Sequence, residues 1–187
     1  MTTTSGESTD PRHAVWIALS DLFLDTDVRL HYVYIVRILA ASPYSIEELG
    51  RILNDEVTPV LQHNLMQVAG EWALFPDEWV IAEVSKRRDK RRWLPNVVNL
   101  REDWAILSIW IAKVRADASY WDALASLVPL FLSKNSAPCV RSEDLATIYE
   151  HDLKPLLLPG CRKLHQESPT IYPSEQEIEA NWQRLPI

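Results

Sequence analysis

Two stretches of this chain fall in one register ninety-six positions apart, from Leu49 to Leu145. The first opens with Ser45-Ile46-Glu47-Glu48-Leu49, the second with Arg141-Ser142-Glu143-Asp144-Leu145. Ile52, Glu56, Val57, Pro59, Val60 and Leu61 then align with Ile148, Asp152, Leu153, Pro155, Leu156 and Leu157. Each copy is a capped, apolar-periodic segment that meets a proline and continues apolar, which is a helical pattern. Its recurrence points to a helical protein of two related halves. The expected architecture is all-α, with two packed helical subdomains and an internal duplication. A disordered tail at 1–10 is expected before subdomains at 11–94 and 95–187.

Composition supports that reading. A chain of 187 residues fits one domain or two small ones, and a 47% hydrophobic content can fill a sizeable core. Four glycines are too few for a sandwich, a barrel or a Gly-rich phosphate loop, and no segment alternates like a strand. Asp10-Pro11 starts a helix predicted over 11–24. Further helices are expected at 28–41, from Ser45 to about Glu56 behind a Ser45/Glu48 capping box, at 62–75 and at 77–92. In the second half they are expected at 101–117 and 119–132, where Pro129 predicts a kink or early end, and after Ser142. The stretch 159–173 reads as loop, and Pro173-Ser174 starts a last helix ending near Trp182.

Charge is unevenly spread. The net charge is −7, yet 86–92 holds six basic residues and one acid. Taking these from the totals of 19 basic and 26 acidic leaves 13 and 25, a net of −12. An acidic body disfavours nucleic-acid binding through the whole surface. The basic run reads as a solvated helix end, as a contact for the acidic body, or as a phosphate site with Trp93 to stack on a base. Cys139 and Cys161 have no metal or redox spacing and are expected as free thiols. The Thr/Ser/Glu-rich N-terminus reads as a disordered tail rather than a signal peptide, and the most apolar run is far short of the roughly 20 residues a membrane span needs. A soluble, cytoplasmic protein is expected.

No motif reveals a reaction. His13, His31, His63, His151 and His165 lack ligand spacing, so neither a metal nor another cofactor is expected. Asp21, Asp25 and Asp27 lie near one helix end, where carboxylates can hold a cation. There is no calcium loop, however, and residues 25–27 also serve as helix stop and cap. Glu71, between Gly70 and Trp72, is either a structural hydrogen-bond acceptor or a buried acid with a raised pKa. Of eight tryptophans, most are expected in helix packing and one or two at the surface as interface anchors. The candidate binding residues are therefore Asp21, Asp25, Asp27, Glu71, Trp72 and Trp79.

The first half also carries long specific strings. They are Val15-Trp16-Ile17-Ala18-Leu19-Ser20-Asp21-Leu22-Phe23-Leu24-Asp25-Thr26-Asp27, then Ser42-Pro43-Tyr44-Ser45-Ile46-Glu47-Glu48-Leu49. Glu56-Val57-Thr58-Pro59-Val60-Leu61, Asn64-Leu65 and Val68-Ala69-Gly70-Glu71-Trp72-Ala73-Leu74-Phe75 come next along the chain. Over about 13–84 the chain resembles a small uncharacterised bacterial domain family. That resemblance implies a bacterial source and carries no activity or catalytic residues. Size, acidity, abundant aromatics and the lack of a catalytic constellation together favour a non-catalytic protein-binding role. The concrete expectation is an immunity protein that neutralises a basic toxin domain. The alternatives are a nucleic-acid-linked regulator using 86–92 and an enzyme whose carboxylates meet only in the fold.

Overall fold

The structure, a computed structural model, describes residues 10–66, 74–89, 97–134 and 140–186. Every described element of secondary structure is helical. Contacts divide the chain into two compact units, Met1–Arg115 and Ala116–Ile187.

The first unit begins as its sequence dictates. The Asp10 carboxylate accepts from the Arg12 amide at 2.9 Å, and Pro11 opens α1, Pro11–Ser20. A 3-10 turn, Asp21–Phe23, extends it. Asp27 caps a second such turn, Val28–His31, which leads into α2, Tyr32–Ala41. Ser45 and Glu48 form the full capping box of α3, Ile46–Arg51. A π-helical segment, Ile52–Val57, joins α3 to α4, Thr58–Leu61. The helix expected at 62–75 falls in large part outside the described residues. Residues 64–66 make one 3-10 turn and 74–76 are not helical, while 67–73 lie outside the described residues. Polar side chains hold this corner: Gln62 Oε1 accepts from the Val97 amide at 2.9 Å, and Asn64 donates to the Phe23 carbonyl at 2.8 Å. Helix α5 spans Asp77–Asp89 and α6 spans Arg101–Ala116.

Helix α1 is the hub of this unit, packed on α2, α5 and the π segment. Val15, Trp16, Ala18 and Leu19 of α1 are buried, as are Ile35, Val36 and Leu39 of α2 and Val80 and Val84 of α5. Helix α6 belongs here by contact, so the division falls after it and not at 94/95. The physical reason is its grip on α2 and α3. Buried Tyr32 donates to Asp103 and meets the Trp110 ring edge-on at 6.0 Å. The Trp104 ring lies over Gly50, so close that a Cβ there would sit 3.3 Å from it. Arg115 donates to the carbonyls of Leu39, Ala40, Ser42 and Tyr44 at 2.7–3.3 Å, tying off the C-terminal end of α2.

In the second unit α7, Ser119–Leu132, runs through Pro129 and buries Leu124, Leu127, Leu130 and Phe131. Ser142 caps α8, Glu143–Thr147, through the Leu145 amide. A second π segment, Ile148–Leu153, leads into α9, Lys154–Glu167. The expected loop from Pro159 is thus corrected, since the helix continues through that proline. An interior proline costs a helix about 3 kcal/mol. Buried Leu157 and Cys161 on either side, the Arg162–Glu175 pair at 2.8 Å and the His165 bond to the Tyr172 carbonyl at 2.9 Å anchor α9 against that cost. Ser174 and Glu177 form a capping box for α10, Glu175–Gln183. Tyr149 stacks on Trp182 at 4.3 Å and tilts against Phe131 at 5.6 Å, joining the π segment to α10 and α7.

The register match has a structural counterpart. In both places a serine-capped helix widens into a π segment just before the proline. The amide before each proline bonds five residues back, Thr58 to the Leu53 carbonyl and Lys154 to that of Tyr149. The surroundings differ. The first π segment packs on α1 and α5, the second on α7. What recurs is this local unit, and the packing around it is not repeated.

Candidate functional site

The candidate residues part company in the structure. Asp21 is buried, and its carboxylate meets His31 Nδ1 at 2.9 Å. Burial pushes the Asp21 carboxyl above the usual carboxylate range, the His31 hydrogen bond works against that, and the Asp77 charge adds to it. Asp25 is exposed. Asp27 is a structural residue: one oxygen accepts from the Arg29 amide at 3.2 Å and pairs with its Nε at 2.9 Å. The other oxygen is buried with no hydrogen-bond partner among the described residues. Glu71 and Trp72 lie outside the described residues, as do Trp93, Cys139 and positions 90–92 of the basic run. Trp79 sits in the first turn of α5 and is 44% exposed. Among the described tryptophans, Trp16, Trp110 and Trp182 are buried and Trp104 and Trp121 half-buried, so Trp79 is the one that fits an anchor.

The fold places further residues beside Asp21 and Trp79. Tyr34, on α2, is 47% exposed. Its hydroxyl is pushed up by partial burial and by the charges of Asp21 and Asp77. Asp77, in the first turn of α5, is near enough for its charge to reach both Asp21 and Tyr34. Phe75 stacks under Trp79 at 5.7 Å with ring planes 15° apart, and is itself buried. Together with Val60, Leu61 and Pro76 they bound a shallow pocket of about 430 Å³. His63 and Asn64 supply its polar rim. Leu74, 59% exposed, adds apolar surface next to Phe75 in sequence.

His31, Tyr34 and Asp77 were not singled out by sequence. His31 is ten residues from Asp21 across two 3-10 turns, and Asp77 is brought in by α5 packing on α1. No spacing rule marks either. The second unit has a larger groove, about 680 Å³, between α9 and α10. Its charged walls pair with each other, Lys154 with Glu179 at 2.9 Å and Arg162 with Glu175 at 2.8 Å. Among the described residues no group of three or more His, Cys, Asp or Glu is placed to hold a metal ion. No described helix is long and apolar enough to cross a membrane.

With this geometry in view, comparison with known proteins gives a family and no activity. The chain belongs to a family defined by a domain of unknown function, DUF7079, matched over residues 10–126. The match takes in all described elements of the first unit and the start of α7, more than the strings at 13–84 had marked. No curated protein and no solved structure matches the chain.

Proposed function

We propose that this protein is a non-catalytic binding protein that docks through the Trp79 face onto a basic protein surface. In its finer form the proposal is an immunity protein that neutralises a toxic effector of a bacterium. The observation that carries the reading is Trp79 itself, an exposed indole in the first turn of α5, which also carries the exposed acids Asp77 and Glu78. Exposed aromatic residues that become desolvated supply much of the energy of protein interfaces. Carboxylates around them speed association with a basic partner. Outside 86–92 the chain carries a net charge of −12, which favours the same class of partner.

A pull-down from the source organism with wild type, Trp79→Ala and a double reversal, Asp77→Lys with Glu78→Lys, tests this. The expected result is a protein partner captured by wild type, lost with either variant, and bound more slowly at raised salt. Both variants should remain folded, with losses of about 1 kcal/mol from the Phe75 stack or from the first-turn acids of α5. Capture of nucleic acid that depends on Arg87, Arg88, Arg91 and Arg92, with no protein partner, overturns the reading in favour of the regulator.

A further inference from the structure

The corner between α1 and α2 is joined by a titratable pair. We propose that Asp21 and His31 form a proton-dependent latch, which holds the turn Val28–His31 against the turn Asp21–Phe23 while the imidazole is protonated and loosens it when that proton leaves. The proposal goes beyond the binding reading and does not depend on it.

Three observations carry it. First, the two turns are anchored unequally. Leu22 and Phe23 of the first are buried in the core, whereas no residue of the second is buried. Second, the contact between Asp21 and His31 Nδ1 at 2.9 Å is, among the described residues, the one hydrogen bond that joins the two turns. Asp27 and Arg29 serve the second turn internally, as its cap and as an ion pair at 2.9 Å. Third, Asp21 is the one buried carboxylate among the described residues, at 5% exposure, while the His31 side chain is 32% exposed. A carboxylate withdrawn from water is costly unless a cation faces it. Protonated His31 supplies that cation, and water can still reach the ring to take the proton away.

Once neutral, the ring can still offer an N–H, but the pair is left with a net negative charge. Its surroundings do not relieve this. Asp77, on α5, opposes the Asp21 charge, and Tyr34, on α2, is itself an acid. Asp25, in the bend between the turns, is exposed. Among the described residues no cation other than His31 acts on Asp21. Burial holds the Asp21 carboxyl above its ordinary value of 3.8. A carboxyl raised on folding contributes stability below its ordinary value, and that stability is lost as pH rises through the folded value. Departure of the imidazole proton acts in the same direction, so the corner loosens as pH rises.

The test is hydrogen exchange on the full chain, resolved by peptide and corrected for the intrinsic effect of pH. Imidazole ordinarily changes charge between about pH 5 and 8, which sets the interval. Protection over 24–32 should fall about tenfold or more across it, the equivalent of one pH unit of linkage. Protection in α9 and α10, which belong to the other unit, should not follow. The His31 ring proton, assigned by NMR through its absence in His31→Gln, should titrate together with the loss of protection. Asp21→Asn removes the buried charge and His31→Gln removes the titrating ring, and each should leave protection over 24–32 level with pH, whatever its absolute height. Level protection in wild type overturns the proposal, as does a fall of equal size in both variants or in α9 and α10. Wild type alone can deliver the first of these results, so the outcome does not hang on either variant folding.

Discussion

Glu56 holds the first π segment to α1, and its replacement by alanine should be among the more costly single changes in the first unit. Its Oε2 accepts from Trp16 Nε1 at 2.8 Å and from Arg12 Nε at 3.0 Å, while its other oxygen takes the terminal nitrogen of Arg12. The two donors are not equivalent. Trp16 is 2% exposed, so its N–H is left buried without an acceptor, at about 1–3 kcal/mol. The Arg12 side chain is 22% exposed and can turn to water, so loss of the ion pair adds only about 1 kcal/mol. Glu56→Ala should therefore cost about 2–4 kcal/mol, and Glu56→Gln, which keeps an acceptor for the indole, about half of that. In a Trp16→Phe background the buried donor is gone, so a double-mutant cycle should return about 1–2 kcal/mol of coupling. Because the chain has two units, the assay is urea-dependent hydrogen exchange resolved by peptide. Protection should fall in α1 and in 52–57 and stay unchanged in α9 and α10. The acid limb gives a second check. Burial alone raises the Glu56 carboxyl, but the bonds from Arg12 and Trp16 outweigh it and hold it below its ordinary value of 4.5. Its contribution is therefore present above about pH 4.5 and lost as pH falls through the lowered folded value, a loss Glu56→Gln should not show. Coupling below about 0.5 kcal/mol, or equal protection of α1 in wild type and Glu56→Ala, would refute the assignment.

Arg115→Ala should lower the urea midpoint of the first unit by the equivalent of about 1–2 kcal/mol, because four carbonyls at the end of α2 lose one shared donor. Arg115→Lys should recover less than half, since an ammonium cannot reach four acceptors spread over six residues. Ser174→Ala should cost about 1 kcal/mol and speed exchange of the first-turn amides of α10, above all that of Glu177. Tyr120→Phe should destabilise the second unit by about 1–2 kcal/mol through its lost bond to Asp152 at 3.1 Å, read as faster exchange in α7 and 148–153.

Local chemistry was legible in the sequence and tertiary chemistry was not. Asp10, Ser45, Ser142 and Ser174 all cap the helices their spacing promised, because a cap depends on residues two or three apart. Trp16, Trp110 and Trp182 are buried, in line with apolar periodicity. Pro159 misled, since the anchors that carry α9 through it, Glu175 and Tyr172, lie beyond the helix itself. The end of the first unit shifted for a similar reason. Tyr32 meeting Asp103 and Trp110 assigns α6 to the first unit and not to the second, through contacts separated by more than seventy residues. Of the candidate residues, Asp21 is buried against His31 and Trp79 is exposed, and the groups that act on Asp21, namely His31 and Asp77, come from other elements that only the fold brings near.

The two π segments show how one sequence register can be put to use twice in different surroundings. Proline has no N–H and crowds the carbonyl four residues back, so a helix that runs into one must lose a bond or change pitch. Here the pitch changes first, with the residue before each proline reaching back five places. Widening turns an acidic residue in each segment toward an aromatic donor on a neighbouring helix. Glu56 takes the indole of Trp16 from α1, and Asp152 takes the hydroxyl of Tyr120 from α7. The pairs align by register at the acid, 56 with 152, but not at the donor, where one is an indole and the other a phenol. The position after the turn differs as well. Thr58 bonds the Leu53 carbonyl through its own hydroxyl at 2.8 Å, whereas Lys154 extends its ammonium to Glu150 and Glu179. What recurs is a way of seating a proline in a continuous helix and using the distortion to make one buried or half-buried hydrogen bond. That requirement accounts for the shared acids and prolines of the two segments.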